Sequence, residues 1–290
     1  MPDDVAVVDT LIAFPHQDLR QTYAFITDQT KDRESKEEFE FPAEYMFKQV
    51  PEKQLIDSPD PIGVTLSEMD RWGIERGLIS IGDPTGDAQL ALKRHPDRFI
   101  PATGCDPNAG MEGIRRLVRD YETYGVRAVS AFPAGTSPQV AINDKKMYPI
   151  YAKCVELGLP IFCCAGVPGP RLPMAVQHVE LIDEVMYDFP ELVFVTRHGC
   201  EPWEDLAVKL MVKWPGLHYS TSAFAPSRYP RAIIDYANTR GAEKVIYAGY
   251  FPMGLSLERI MAEMPRVGFN HDVWPKFLRN NALRVLGLEQ

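Results

Sequence analysis

A (β/α)8 TIM barrel, built as a single domain over all 290 residues, is the fold that this sequence predicts. Three observations predict it. Short apolar runs are bounded by Gly and Pro, which is typical of buried parallel strands. Longer stretches with helical periodicity separate these runs, and the alternation repeats eight times. A doubly wound sheet has a similar pattern, but no Gly-x-Gly-x-x-Gly phrase follows the first strand, which weakens a dinucleotide-binding version.

The predicted strands follow one another in order along the chain. The first helix is predicted over 63–75 (GVTLSEMDRWGIE), and a helical segment follows each later strand except the last. The eight strands are predicted at 5–10 (VAVVDT), 77–82 (GLISIG), 99–107 (FIPATGCDP), 126–133 (VRAVSAFP), 160–166 (PIFCCAG), 192–199 (LVFVTRHG), 217–222 (LHYSTS) and 244–252 (KVIYAGYFP).

An insertion at 17–62 separates the first strand from its helix. It leaves the barrel at the carboxyl end of a strand, where the loops of such barrels build the active site. One interpretation is a lid that supplies Tyr45, Phe47 or Lys48 to a pocket. A solvated excursion or a subunit contact explains the insertion equally well.

Composition excludes several classes of partner. The formal net charge is -9 and the chain has no Lys/Arg-rich run, so we expect no nucleic-acid partner. No run of 18 apolar residues predicts a membrane span, and the start MPDDVAVVDT lacks the basic and apolar regions of a secretory signal. The five cysteines have irregular spacing and are expected to be reduced thiols. We therefore expect a soluble cytoplasmic protein.

Several phrases, taken together, resemble one known family. In order and spacing they are similar to the amidohydrolase-related proteins that include aminocarboxymuconate semialdehyde decarboxylase and other aromatic acid decarboxylases. The resemblance implies the same barrel and a homodimer. The phrases are HPDRFIPATGCDP (95–107), YAKCVELGLPIFCCAG (151–166), VTRHGCEPW (195–203), KVIYAGYFPMG (244–254) and FLRNNALRVLGL (277–288).

The metal ligands of that family are replaced in this chain. Such enzymes usually begin with Asp-x-His-x-His or Asp-x-Glu-x-His, and here Asp9 is followed by Leu11 and Ala13. The resemblance aligns the third ligand, a His, with Cys164 and the last, an Asp, with Tyr250. Leu and Ala have no donor atoms, and a Cys–Tyr remnant is not a usual metal site. We expect no catalytic metal and no other cofactor.

A relocated metal is the alternative. In that hypothesis His16, Asp9 and His198 hold the ion at a shifted position. The apolar side of the mouth formed by Leu11 and Ala13 favours the metal-independent reading.

The phrase RHGCE supplies the catalytic candidates. It resembles the family's HMGE-like phrase, which implies acid/base or electrophilic work for His198, with Glu201 as an orienting or proton-relay partner. Imidazole suits proton transfer near neutral pH, and a neighbouring carboxylate raises its basicity. The alternative is a strand-end His that only satisfies its own hydrogen bonds.

Other residues are expected to bind the substrate. Tyr250, Cys164 and His16 are predicted to border the mouth, with Tyr45 and Phe47 from the insertion. Either Arg171 or Arg228, which follow the fifth and seventh strands, is a candidate to pair with a substrate carboxylate, because a guanidinium binds carboxylates through two hydrogen bonds. A surface role explains each of them at least as well. Cys164 also allows a Cys–His–Glu nucleophile, although a buried structural Cys is the commoner fate of that residue.

These observations predict a metal-independent enzyme. Its substrate is expected to be small, carboxylated or phenolic, and its reaction hydrolysis, decarboxylation or related lyase chemistry. One alternative is an inactive barrel that serves as a binder or scaffold, and a second is a metal-dependent hydrolase with a relocated site. An enclosed pocket of ligand size favours the enzyme, whereas a filled mouth favours the scaffold.

Overall fold

Eight parallel strands in sequential order make up the sheet, and they confirm the predicted barrel. The structure is a computed structural model that describes residues 1–2, 5–16, 18–46 and 56–289. The strands are β1 (Val7–Asp9), β2 (Ile74–Ser80), β3 (Phe99–Gly104), β4 (Ala128–Ala131), β5 (Ile161–Cys164), β6 (Phe194–Arg197), β7 (Leu217–Ser220) and β8 (Val245–Ile246).

Helices alternate with these strands and pack on the outside of the sheet. Two short helices, α1 and α2, lie in the insertion, and the last helix, α11, follows a π-helical turn at Lys276–Asn280. The α-helices are α1 (Leu19–Thr22), α2 (Ala24–Thr27), α3 (Pro61–Arg71), α4 (Asp87–Arg94), α5 (Met111–Tyr124), α6 (Tyr148–Leu157), α7 (Leu181–Asp188), α8 (Glu204–Lys213), α9 (Arg231–Ala237), α10 (Leu257–Glu263) and α11 (Asn281–Val285).

The boundary between α3 and β2 differs from the prediction. The Asp60 carboxylate caps the helix by accepting the backbone N–H of Gly63, and Pro61 occupies the first turn. Gly73 then adopts a left-handed conformation with φ of 68°, which ends the helix. The strand therefore starts at Ile74, three residues before the predicted Gly77.

Apolar side chains fill the inside of the barrel. Val8, Leu78, Phe162 and Val195 belong to this inner cluster, and residues of α11 pack against it. Side chains alternate along a strand, so the next inward position towards the carboxyl end of β6 after Val195 is Arg197. Apolar side chains thus fill the interior of the barrel, and polar groups begin at the carboxyl ends of the strands.

Backbone contacts after the strand ends join β8 to β1. Thr10 donates its N–H and its hydroxyl to the carbonyl of Tyr247, at 3.3 and 2.8 Å. Further along, Tyr250 N–H donates to the Leu11 carbonyl at 2.9 Å. Asp9 Oδ1 accepts the N–H of Leu11 and of Gly249, both at 2.9 Å. These bonds link the two ends of the sheet.

Among the described residues, no helix is both long enough and apolar enough to span a bilayer. The predicted homodimer stays a prediction.

Candidate active site at the barrel mouth

A cavity of about 290 Å³ lies at the carboxyl ends of the strands. Leu11 and Ala13 border it on the side of β1, as the sequence predicts, and make that wall apolar. Its polar lining comes from Ser80 and Ser130 at strand ends, from Arg197, and from His16 with Asp83. The mouth is therefore open and has charged groups inside an apolar frame.

The insertion covers part of this cavity. Leu19, Tyr23 and Phe25 border it from α1 and α2, and Ile56 borders it from further along the insertion. Leu19 and Tyr23 also belong to a small apolar cluster that includes Met253 and Tyr250 from the loop after β8. These contacts support the predicted lid role, which stays a prediction.

Arg171 fastens the insertion to the loop after β5. Its guanidinium pairs with the carboxylate of Asp32 and, at 2.8 Å, with that of Glu34. Its Cζ atom lies 4.7 Å from the ring centre of Tyr45 and 5.3 Å from that of Phe39. Hydrogen bonds to Glu34 and Asp32 raise the pKa of Arg171 further. We call these five residues the clasp.

The clasp changes the expectation for Arg171 and Tyr45. Arg171 already binds two carboxylates of the chain, and Tyr45 donates its hydroxyl to the Gly169 carbonyl at 2.7 Å. Neither residue borders the cavity. The structure thus places both in a contact between loops, and their predicted role in substrate binding stays untested. Phe47 and Lys48 lie outside the described residues.

Arg197 is the cation that does border the cavity. Its Nη1 donates to Ser130 Oγ at 3.1 Å, and its Cζ atom lies 5.1 Å from the ring centre of Phe162. Its Nε is buried and has no hydrogen-bond partner among the described residues. Burial lowers the pKa of Arg197, and no carboxylate among the described residues forms an ion pair with it. A buried charge of this kind is usually paired, so the missing partner is notable.

His16 and Asp83 face each other at the same cavity. His16 Nε2 lies 3.5 Å from Asp83 Oδ1, and the two side chains are 14% and 7% exposed. Asp83 also accepts hydrogen bonds from the N–H and hydroxyl of Thr85 and from the N–H of Ala88. The structure therefore places His16 at the mouth, where it was expected to contact substrate.

His198 lies beside the cavity at the end of β6. Its backbone N–H donates to Ser222 Oγ at 2.9 Å, and the same oxygen lies 3.2 Å from its ring Nδ1. Burial, and then the charge of Arg197, lower the pKa of His198 to about 3. The ring is thus neutral near pH 7. If the Ser222 hydroxyl donates to Nδ1, the imidazole proton stays on Nε2.

The predicted partner of His198 lies elsewhere. The contact to the ring comes from Ser222, and no hydrogen bond between His198 and Glu201 occurs among the residues that the structure describes. Burial and then Glu204 raise the pKa of Glu201. Ser222 therefore orients the ring in this structure, and the predicted role of Glu201 stays a prediction.

Three residues in the loops that follow β6, β7 and β8 have left-handed backbone conformations. His198, Ala223 and Tyr250 have φ of 61°, 70° and 72°, and each follows the end of a strand. Such conformations cost about 1–3 kcal/mol each for non-glycine residues and cluster at functional sites. The rings of His198 and Tyr250 meet edge to face, with centres 5.0 Å apart. The rim is therefore held in strained conformations around His198.

Cys164 lies next to Arg197 across the sheet. The two residues are register partners on β5 and β6, and Cys164 is buried. Burial raises the pKa of its thiol to about 12, so the thiol is protonated at neutral pH. A nucleophilic cysteine needs a lowered pKa or an adjacent base. The geometry therefore favours the structural role over the nucleophilic one.

A profile of the amidohydrolase family matches residues 14–288, which is nearly the whole chain. This chain belongs to the amidohydrolase family. Membership confirms the resemblance found in the sequence, and with it the broad class of enzyme, a hydrolase or a carbon–carbon lyase. Comparison with curated proteins gave no match.

Solved structures share the fold at low identity. An uncharacterized TIM-barrel protein from Bordetella bronchiseptica is 21% identical, with a TM-score of 0.76 over 98% of this chain and 99% of that one. The 5-carboxyvanillate decarboxylase of Novosphingobium aromaticivorans, solved with manganese and a nitrobenzoic acid, is 17% identical, with a TM-score of 0.69 over 98% of each chain. The 2,6-dihydroxybenzoate decarboxylase of Rhizobium is 16% identical, with a TM-score of 0.66 over 99% of this chain and 100% of that one.

The residues at the family's metal positions do not fit a metal. Leu11 and Ala13 have no donor atoms, and the Cys164 thiol is protonated. Burial raises the pKa of the Tyr250 phenol, so this oxygen is neutral. The positive guanidinium of Arg197 lies beside Cys164, where it would repel a second cation.

The relocated site is not assembled either. Asp9 Oδ1 holds two backbone N–H groups, His16 faces Asp83, and His198 contacts Ser222. Nowhere in the described ranges do three His, Cys, Asp or Glu side chains form a group that could hold a metal ion.

Arg197 is the residue that sequence reasoning missed. Its signal was present, because alternation along β6 from Val195 places position 197 inside the barrel. The phrase RHGCE drew attention to the His that follows it. Asp83 accepts the Ala88 N–H at the start of α4, and it also borders the cavity.

Proposed function

We propose that this protein is a metal-independent enzyme that binds a small carboxylated ring compound at the barrel mouth. Arg197 anchors the carboxylate. The single observation that carries the proposal is a part-buried guanidinium that borders the cavity, with its Nε shielded from water, and that has no carboxylate partner within the described chain.

Electrostatics supports this role for Arg197. An uncompensated charge away from water destabilises the free protein, and an ion pair with hydrogen bonds offsets much of that cost. Its Nη1 is held by Ser130 and its Nε has no partner, so donors remain for an incoming anion. A guanidinium offers a planar fork that matches a carboxylate. A substrate carboxylate would complete the ion pair that the chain itself leaves open.

The remaining lining of the cavity suits a substrate that contains a ring. Leu11, Ala13 and Met253 form apolar walls, and Phe25 of the lid adds an aromatic face. The volume of about 290 Å³ lies at the small end of ligand pockets, which suits a molecule of one ring. The two decarboxylases reported above act on aromatic carboxylates, a class of molecule that this combination fits.

The charge on Arg197 restricts which carboxylate reacts. Loss of CO2 removes the negative charge from a carboxylate, so an ion pair with Arg197 stabilises the starting state more than the transition state. The carboxylate bound there is therefore the one that the product keeps. The reacting bond is a second group of the substrate, either an ester bond that is hydrolysed or another carboxylate that is lost.

His198 has a defined place in this proposal. Its ring is neutral and rests on Ser222, so it acts as a hydrogen-bond donor or acceptor at the rim. A base whose pKa is about 3 is weak at neutral pH. We therefore assign His198 to positioning the substrate or the loop and keep proton transfer for another group.

The scaffold alternative has less support. A barrel without a ligand would gain stability by filling its mouth or by pairing its buried charge. The mouth keeps a cavity with an unpaired arginine, together with three left-handed residues at its rim. These are features of a binding site.

The experiment is a binding titration with benzoate as the probe. Calorimetry on the full chain compares the wild type with Arg197→Met and Arg197→Lys. We expect benzoate to bind the wild type and to lose about tenfold to a hundredfold in affinity with Arg197→Met, since hydrogen bonds to charged groups contribute roughly 1.5–3 kcal/mol. Arg197→Lys should fall between them, because lysine keeps the charge but not the fork.

Arg228→Met is the matched control. Arg228 is exposed beyond β7 and does not border the cavity, so the same chemical change there should leave benzoate affinity within about twofold. Equal affinity of the wild type and Arg197→Met would overturn the proposal. Added manganese is a second arm: a rise in benzoate affinity with bound metal would favour the relocated metal site.

A further inference from the structure

We infer that Ser130 is the second anchor of the substrate carboxylate, and that it also fixes the edge that Arg197 presents to the cavity. The inference deepens the proposed function and rests on it, because both residues would bind the same carboxylate. Ser130 and Arg197 both border the cavity, and both are partly accessible to solvent. The family resemblance assigns no role to Ser130.

The side chain of Arg197 crosses one strand to reach Ser130. Arg197 ends β6, Ser130 lies in β4, and β5 runs between these two strands. The guanidinium passes over the ring of Phe162 in β5, with Cζ 5.1 Å from the ring centre, and Nη1 donates to Ser130 Oγ at 3.1 Å. Phe162 and Ser130 are register partners, so the ring and the hydroxyl hold the guanidinium at neighbouring points.

The three nitrogens of Arg197 differ in what they can still bind. Nε is shielded from water and has no hydrogen-bond partner among the described residues. Nη1 contacts Ser130 and carries a second N–H besides. Nη2 has no hydrogen-bond partner in the described part of the chain either, but it is not shielded from water as Nε is. The edge formed by Nη1 and Nη2 is therefore the one open to a ligand.

The Ser130 hydroxyl adds a donor beside that edge. Its oxygen accepts from Arg197 Nη1, and its own hydrogen has no acceptor among the residues that the structure describes. A carboxylate at the Nη1–Nη2 edge has this hydroxyl within reach, because Oγ lies only 3.1 Å from Nη1. Hydrogen bonds to an ionised acceptor are stronger than those between neutral groups. Arg197 and Ser130 thus form one site for one carboxylate.

The position of this pair also orients the ligand. In a closed barrel of eight sequential strands β5 lies opposite β1, and the guanidinium lies over Phe162 of β5. The apolar wall of Leu11 and Ala13 directly follows β1. A carboxylate bound by Arg197 and Ser130 therefore directs the ring of the ligand across the mouth towards that wall.

Calorimetry on the full chain, with benzoate as the probe, tests the hydroxyl. Ser130→Ala should lose about tenfold in benzoate affinity, since a hydrogen bond to a charged group is removed. Ser130→Thr keeps the hydroxyl and should bind within about threefold of the wild type, and denaturant midpoints check that both variants fold. Full affinity in Ser130→Ala would overturn the inference. A Ser130→Thr variant as weak as Ser130→Ala would overturn it too, because packing rather than the hydroxyl would then matter.

Ser220→Ala is the matched control. Ser220 ends β7, on the other side of β6, and its side chain is 1% exposed. It does not border the cavity, and its hydroxyl has no hydrogen-bond partner among the described residues. The same loss of a hydroxyl there should leave benzoate affinity within about twofold.

A double-mutant cycle tests whether the two residues bind one carboxylate together. Benzoate affinity is measured for Ser130→Ala, Arg197→Lys and the double variant. We expect the double variant to lose less affinity than the product of the two single losses, because either change alone disturbs the shared site. Losses that simply multiply would show that the two residues act independently, contrary to the inference.

A crystal structure of the full chain with benzoate tests the geometry. We expect the carboxylate at Nη1 and Nη2 of Arg197, with one oxygen within hydrogen-bond distance of Ser130 Oγ, and the ring against Leu11 and Ala13. A carboxylate at the Nε edge, or a ring directed away from β1, would contradict the inferred site.

The two proposals fail in different ways. Benzoate affinity that survives Arg197→Met defeats the proposed function, and the present inference with it. Affinity that depends on Arg197 but survives Ser130→Ala defeats only the present inference.

Discussion

Two arginines lie around the mouth of this barrel and have opposite surroundings. Arg171 lies in the clasp with two carboxylates and two aromatic rings, and it holds the insertion in place. Arg197 lies inside the mouth with a single serine hydroxyl and no carboxylate from the described residues. The same side chain is thus used once for structure and once in a form that is available to a ligand.

The surroundings of the two arginines distinguish a structural charge from one that is available to a ligand. Exposed, fully paired arginines contribute contacts whose strength water and salt reduce. A buried, unpaired arginine destabilises the free protein, so its presence requires a reason outside the fold. Pairing and burial, rather than position near a strand end, distinguish the two.

Asp9 is fully buried at the end of β1, and its substitution should change stability more than substitution of either arginine. Burial raises the pKa of Asp9 to about 7, although its hydrogen bonds to Gly249 and Leu11 act in the opposite direction. The folded chain thus keeps a proton that the unfolded chain releases above about pH 4, and stability falls as the pH rises from about 4 to 7. Asp9→Asn should remove this loss, with a gain at pH 8 of at most about 4 kcal/mol.

Urea unfolding of both forms at pH 4.5 and pH 8 measures that effect, with the exposed Asp205→Asn as the control. Equal dependence on pH in the wild type and Asp9→Asn would show that Asp9 is ionised throughout, like an ordinary surface carboxylate.

Arg197→Met tests the comparison most directly. Removing a part-buried charge that has no counter-charge among the described residues should stabilise the free protein by about 1–2 kcal/mol, while benzoate affinity falls about tenfold to a hundredfold. The sign of the change in the free energy of unfolding distinguishes a binding role from a structural one, because loss of a structural residue lowers stability. Denaturant midpoints with and without benzoate give both quantities. A destabilised variant would mean that Arg197 supports the fold.

Arg171→Met should affect the lid and leave the barrel intact. The change removes the group that Asp32 and Glu34 share, so the charge run of the insertion should open more often. We expect faster cleavage by a glutamyl protease within 31–40 and an unchanged thermal midpoint. Mass spectrometry of the fragments locates the cuts, with Arg228→Met as the control. An unchanged cleavage rate would show that Arg171 does not hold the insertion in place.

Cys164→Ser has the smallest expected effect. The thiol is buried beside Arg197 and is protonated at neutral pH, so benzoate affinity and any turnover should change by less than about threefold. Iodoacetamide should label Cys164 slowly in the native protein. Rapid labelling together with loss of turnover would revive the nucleophilic hypothesis.

Sequence reasoning could predict the barrel because each strand has its own local pattern. Apolar runs and the breaks between them are visible in eight places, and the error at Ile74 came from a helix that ends at Arg71, just before the left-handed Gly73. The apolar wall of Leu11 and Ala13 was likewise readable, since the absence of donor atoms needs no geometry.

The site was harder to predict because its contacts join distant residues. Arg171 is a reasonable candidate in sequence, but Asp32 and Glu34 come to it from 139 and 137 residues away. The insertion has no periodic sequence pattern from which these ion pairs could be predicted. The ring of His198 contacts Ser222, which lies in the loop after the neighbouring strand β7. His16, after β1, faces Asp83, which lies in the loop after β2. Only the folded barrel selects these pairs.

The seam between β1 and β8 has a consequence for how the chain is made. Asp9 Oδ1 accepts the N–H of Gly249, 240 residues later, and Thr10 reaches Tyr247 across a similar distance. During synthesis the first strand must therefore wait for nearly the whole chain to leave the ribosome before its outer edge is covered. A nascent chain stalled before Tyr247 leaves that edge uncovered, and an uncovered strand edge favours aggregation.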